Sequence, residues 1–285
     1  MTVQAAVADP VLIEGMLRKG PYPHDIISRV CEGDLAAGRL LVWGTDPATQ
    51  VAEMAALPAA DVDAIATAAV VIAAAAAQTI AAGDFDGAIG ADRISPARVP
   101  SISFDASTDW DIAAGITVTW YGRDAGGANC SCSVNKATGS GALALYGDVP
   151  MSAIDHVDIS AGSAATGGAA TLGVANDRVE LSPNEYPGVA LYRGIKEPNT
   201  AVRNYADEEA VDLLVKGDFV AIPEHAVSAG DDVYVRVLAA GTDLRGQFTG
   251  MDGAMTPASY ARLIGAKWRS PAAADGLAII RLTGV

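Results

Sequence analysis

Residues 215–237 read VKGDFVAIPEHAVSAGDDVYVRV, and the fold turns on how that stretch is read. It holds one His, one Glu and three Asp, the residue types of a metal or acid–base site. Its apolar residues nonetheless alternate as strands do. VDLLVKGDFVAI (211–222) reads as strand, turning at Lys216–Gly217–Asp218, and Pro223 ends it. AVSAGDD (226–232) supplies a second turn, and VYVRV (233–237) alternates cleanly. Asp218, Asp231 and Asp232 then fall at turn positions, where a short carboxylate bonds local backbone. The stretch is predicted to fold rather than to bind or cut.

The rest of the composition agrees. The 285 residues suffice for two modest domains, or one domain with a large insertion. Hydrophobic residues make up 51%, but much of that is Ala, which buries little area per residue. Thirty Gly and fourteen Pro predict many turns, as between short strands. The net charge of −15 repels phosphate backbones, and no Lys/Arg cluster offsets it, which argues against direct nucleic-acid binding. Cys130 and Cys132 are separated by one residue, not the two of a redox or zinc motif. On a strand both sulfurs share a face, and with Cys31 they read as small buried hydrophobes made in a reducing cytoplasm. The N-terminal MTVQAAVADPVLIEG lacks the basic-then-apolar pattern of a signal peptide. AIATAAVVIAAAAAQTIAAG (64–83) approaches membrane-spanning length, but Ala is nearly neutral on insertion scales and aromatic anchors are missing, so no span is expected.

Along the chain, PHDIISRVCEGDLAAGRLLVWGTDP (23–47) reads as a strand, a turn at Glu32–Gly33–Asp34, a Gly38 turn, and the strand RLLVW. In the Ala-rich 49–92, LPAADVDAIATAAVV (57–71) predicts a short helix, with Pro58 near its first turn and Asp61 and Asp63 at its N-terminus. From Arg93 the rhythm is that of a β-sandwich. ITVTWY (116–121), GRDAGG (122–127) and ANCSCSV (128–134) predict strand, tight turn and return strand. ALALYGDVP (142–150), SAIDHVDIS (152–160) and the Gly/Ala-rich 160–174 continue the pattern. Strand periodicity resumes in PGVALYRG (187–194) and ARLIGAKWRSPAAADGLAIIRL (261–282).

No hydrolase elbow, zinc-protease, phosphate-loop or EF-hand motif is present. GDFDGAIGADR (83–93) has Asp84, Asp86 and Asp92 but neither the alternating ligands nor the terminal Glu of a calcium loop. His24, His156 and His225 are scattered. His156, between Asp155 and Asp158, has only Ser160 as a nearby nucleophile, too close along the chain for a triad, and reads as a half-exposed strand histidine. No catalytic, cofactor-binding or metal-ligating residue is assigned. A hydrolase with an unrecognised site would have to use His225, His156 or their acidic neighbours.

The stretch 211–237, then GQFTG (246–250), then IGAKWRSPAAADGLAIIRL (264–282) resembles the C-terminal half of tailed-bacteriophage structural cement, or capsid decoration, proteins. The resemblance rests on Val215, Lys216, Gly217, Val220, Val227, Gly230, Asp231, Val233 and Tyr234. It continues through Gly246, Phe248, Gly265, Ala266, Trp268, Gly276, Leu277, Ala278 and Leu282. YPHDIISRVCEGDLAAGRLLVWGTD (22–46) is similar to the family's N-terminal strands. Between them, the hairpin at Trp120–Asp124 with Gly126 resembles Ig-like modules inserted in phage structural proteins.

The resemblance implies a mainly-β fold: a small β-barrel or sandwich cement core with an inserted Ig-like β-sandwich and a short Ala-rich helical segment. The implied division is 1–48 core, 49–92 connector, 93–178 insert and 179–285 core. It implies a virion protein made in the bacterial cytoplasm. That protein would bind the major capsid protein on the outer capsid surface, self-associate as a trimer, and need no cofactor, nucleic acid or membrane. Tyr22, Trp43, Tyr186 and Trp268 are the candidate interface anchors, each also readable as a core aromatic. The alternative is a tail or surface adhesin whose Ig-like module binds host-cell glycan, which surface-exposed aromatics in the insert would favour.

Overall fold

The computed structural model describes residues 24–54, 56–68, 76–89, 93–106, 115–137, 139, 141–160, 168–183, 185–191, 204–238, 245–251 and 257–283. It is mainly β, as expected. The strands are β1 (Asp25–Glu32), β2 (Leu35–Ala36), β3 (Leu40–Trp43), β4 (Gln50–Glu53), β5 (Asp61–Ala66) and β6 (Gln78–Ala81). β7 (Ala97–Phe104), β8 (Ile116–Asp124), β9 (Asn129–Lys136), β10 (Leu143–Tyr146), β11 (Met151–Ile159) and β12 (Ala170–Leu181) follow. Last come β13 (Gly188–Ala190), β14 (Asn204–Tyr205), β15 (Ala210–Ala221), β16 (Asp232–Arg236), β17 (Phe248–Thr249), β18 (Tyr260–Trp268) and β19 (Ala278–Leu282).

Three hydrophobic cores organise these strands. β1 pairs with β15 and β4, β4 with β3, β3 with β13, and β13 with β15, so five strands close into a ring. Cys31, Leu41, Val51, Ala190, Val211 and Leu213 fill it. The short β2–β14 pair adds Tyr205, whose hydroxyl donates to the Leu191 carbonyl. A second core lies against β15, β19, β18 and β16, where Phe219 meets Phe248 edge-on and Trp268 is wholly buried. The third belongs to two four-stranded layers, β5–β12–β7–β10 and β6–β11–β8–β9, that share Ile102, Val118, Trp120, Val157 and Leu172. The predicted hairpin is β8–β9, in register from Ile116↔Lys136 to Arg123↔Asn129. Cys130 and Cys132 alternate along β9 with both sulfurs toward the interior.

Two strands each serve two cores. β12 pairs with β5 at Leu172 and Val174 and with β7 from Ala170 to Glu180, and its end also runs parallel to β18 at Glu180 and Leu181. β15 pairs with β1 up to Lys216 and with β19 from Gly217 onward.

Two expectations fail here. The chain does not turn at Lys216–Gly217–Asp218; β15 is one twelve-residue strand that changes partners at Gly217. Gly217 has φ +130°, and a Cβ there would collide with the His24 ring. The glycine that looked like a hairpin turn is a joint in a shared strand.

The helix predicted over 57–71 is also absent where it is described, because Asp61–Ala66 is β5 and only 69–71 of that stretch lie outside the described residues. Ala64, Ile65 and Ala66 are fully buried. β5 lies so close to Gly87 and Gly173 that a Cβ at either would overlap the Asp63–Ala64 or Asp61–Val62 backbone. Alanine serves close packing as well as helix propensity, and tertiary contact decides. Arg98, buried at the joint, donates to the Ala59 carbonyl at 3.2 Å, while Asn176 Nδ2 donates to the Pro58 carbonyl at 2.9 Å. These bonds fix the segment entering β5.

Gly217→Ala is expected to lower stability by about 3 kcal/mol, combining a positive-φ penalty with a steric shift. Gly33→Ala, with φ +80° and open space around it, is expected to cost about 1 kcal/mol. Chemical denaturation of the two variants checks the difference; equal losses would remove Gly217 from its role as a joint.

Candidate functional site

The acids of the opening stretch are engaged structurally. Asp218 accepts two bonds from the Arg281 guanidinium, at 2.7 and 2.8 Å, across the β15–β19 pair. It is therefore a buried ion-pair residue, not the turn former its Gly-Asp context predicts. Glu224 accepts from Arg236 Nε and Nη2 at 2.8 and 2.7 Å, and from the Tyr260 hydroxyl at 2.9 Å. Both side chains of that pair are more than nine-tenths buried. Asp231 does cap a turn, accepting from the Ser228 backbone N–H at 2.8 Å. Asp232, at the start of β16, pairs with Lys267 at 2.6 Å and sits 3.5 Å from Arg262. His225 Nδ1 lies 2.9 Å from Thr249 Oγ1 on a fully buried threonine.

The other candidates are similarly occupied. Asp86 accepts from Thr67 through both oxygens, at 2.7 and 2.6 Å, which holds its carboxyl below the usual range. Asp92 lies outside the described residues. Among the described residues no group of three or more His, Cys, Asp or Glu is placed to hold a metal ion. His156 is half-buried on β11 and stacks on Tyr121 of β8, ring centroids 4.5 Å apart. Burial pushes the Cys31 and Cys132 thiols up to about 11.

Of the four candidate anchors, Tyr186 and Trp268 share one core and Trp43 lies outside it. Tyr22 lies outside the described residues. Trp268 is 0% exposed, its Nε1 donating to the Thr249 carbonyl at 3.2 Å. Tyr186 is buried in the same core and donates to the Ile264 carbonyl at 3.1 Å; burial raises its pKa. Trp43 is half-buried, with the Arg29 guanidinium 5.9 Å from its ring centre. It lines a groove of about 320 Å³ with Met54, Leu57, Pro58, Pro96 and Leu181, where the barrel meets the two-layer region. Sequence reasoning missed this groove, because four of its eleven lining residues come from the segment expected to be a connector and helix.

The chain matches the family described as phage structural cement protein (E217 gp24/Pam3 gp6) over residues 131–283. It belongs to that family. The match spans most of β9 and everything after it, including both shared strands and the whole stretch 215–237. No curated protein matches the chain. Membership makes this a structural protein of the phage capsid, in a family that is not one of enzymes.

In the cement protein, Asp218→Ala is expected to cost about 1.5–3 kcal/mol by removing both charge-assisted bonds to the part-buried Arg281 guanidinium, and Asp232→Ala under about 1 kcal/mol because its partners stay solvated. Thermal unfolding of both variants checks this. Brief alkylation of the native protein near pH 8 is expected to label Cys130 well ahead of Cys31 and Cys132, and all three in denaturant, as read by peptide mass spectrometry.

Proposed function

We propose that the protein binds the outside of the expanded phage head and holds neighbouring major-capsid subunits together against internal pressure. The observation that supports this most is the family match over residues 131–283, which takes in the strands shared between cores. The physics is compatible. Binding of this kind draws on apolar area and charge complementarity summed over many copies, without chemistry. The net charge of −15 suits a basic lattice surface and keeps the free protein soluble.

In this reading residues 1–48 and 179–285 form the lattice-binding core, and the two-layer region projects from it as an Ig-like insert. The strand pairing favours starting that insert near Asp61 rather than Arg93, since β5 and β6 pair within it. Trp43, at the mouth of its groove, and Tyr22 just before β1 are the lattice anchors; Tyr186 and Trp268 brace the surface from behind. Copies meet as trimers. A second reading, a tail or surface adhesin that binds host glycan, draws on one observation: Tyr121 and His156 stack on the outside of the β6–β11–β8–β9 layer.

Co-sedimentation with expanded heads stripped of accessory proteins, with unexpanded shells as control, tests the proposal. Saturable binding to expanded heads alone, at a fixed ratio to the major capsid protein, is expected. Trp43→Ala is expected to weaken it by about ten-fold or more. Absence of binding at about micromolar concentration, or equal binding to both shells, would overturn it.

A further inference from the structure

The outer face of the β6–β11–β8–β9 layer has a composition that the capsid reading does not use. Cross-strand register sets its side chains in rows. One row is Thr79, Asp158, Thr119 and Ser133; the next is Ala81, His156, Tyr121 and Ser131. Thr79 donates to Asp158 Oδ1 at 2.6 Å, and the Thr119 and Ser133 hydroxyls lie 2.8 Å apart. Each bond fixes a rotamer while leaving further lone pairs toward solvent.

The second row carries the only rings. Tyr121 and His156 are 12° from parallel and 4.5 Å apart, about the spacing of adjacent strands, so both stand upright on the sheet. Their remaining faces look over Ser131 on one side and Ala81 on the other, side chains too short to cover them. Tyr121 stays 37% exposed. The result is a flat aromatic wall beside a hydroxyl-lined floor, on a layer that presents no large aliphatic side chain along these two rows.

We infer that this face binds a neutral glycan, one sugar ring stacking on Tyr121 above Ser131 with its hydroxyls meeting the Thr119–Ser133 pair. Sugar rings offer an apolar C–H face and a polar rim, the pattern these two rows complement. Nucleobases also stack on aromatic rings, but although Arg123 follows Tyr121 on the same exposed face of β8, their phosphates would meet Asp158 and a chain of net charge −15. The same net charge disfavours acidic sugars. The inference gives the adhesin reading a site and a ligand class, and it needs no contact with the capsid.

The test is affinity measurement on the full chain with three neutral probes, maltoheptaose, cellohexaose and mannohexaose, and with oligogalacturonate as the acidic control. Binding of at least one neutral probe is expected, with none to the acidic one. Tyr121→Ala is expected to weaken it by about ten-fold or more, Tyr121→Phe to retain it, and Trp43→Ala to leave it unchanged. Tyr121→Ala is expected to co-sediment with expanded heads as the unaltered protein does, which separates this inference from the cement reading. No neutral binding up to about 10 mM, equal binding of the acidic probe, or binding indifferent to Tyr121→Ala would each overturn it.

Discussion

The structure depends on one backbone joint. β15 leaves the closed five-stranded ring and enters the C-terminal sheet without interruption, and it changes hydrogen-bonding partners at Gly217. A strand serves two sheets only if one residue can turn its ladder, and a positive φ against the His24 ring restricts that residue to glycine. On either side, Leu213 faces the ring's interior while Phe219 and Ala221 fill the neighbouring core. The buried Asp218–Arg281 pair sits one residue past the joint and locks β15 to β19. Ion pairs of this kind add little net stability, but a wrong register would leave a charge unpaired. Here Asp218 and Arg281 are direct partners in the β15–β19 register, so the pair acts on the alignment of the new ladder.

β12 repeats the device on the other side. It pairs with β7 as far as Glu180, and its end also lies parallel to β18, with Glu180 held to Arg262. The three cores are thus connected by continuous strands rather than linkers alone. Arg98 and Asn176 add side-chain bonds to the carbonyls of residues 58–59 at the same joint. Such connections suit a protein whose family works by holding a shell together, because neighbouring cores share hydrogen-bonded backbone.

What the sequence made legible was local. Strand composition or alternation marked β1, β3, β8, β9, β16 and β18, and the glycines at 33 and 38 marked turns, both with positive φ. The C-terminal motifs pointed to the cement family before any pairing was known. What stayed hidden was set by distant contacts. Lys216–Gly217–Asp218 has turn composition, and nothing nearby in the chain reveals that β1 and β19 will claim its two sides. The Ala-rich 57–71 is a good helix by propensity, and only pairing with β12 and the close approach of Gly87 and Gly173 to its backbone reveal β5 as a strand. The groove at Trp43 was illegible for the same reason, since its walls come from segments far apart in sequence. Trp268 and Tyr186 carry the same apolar-plus-polar signature as interface aromatics, and burial alone distinguishes them.

The edges of the sheets differ between the ring and the two-layer region. The five-stranded ring has none, because each of its members is paired on both sides. Closure of that kind removes the backbone template for unwanted pairing. In the two-layer region, by contrast, β5, β6, β9 and β10 each have one paired neighbour among the described residues. Those edges are managed by composition instead. β9 alternates Ser and Asn outward, so an added strand would meet small polar groups and gain little burial. The open-edged layers and the closed ring thus manage the same hazard by different means, one by the composition of its outward side chains and the other by complete backbone pairing.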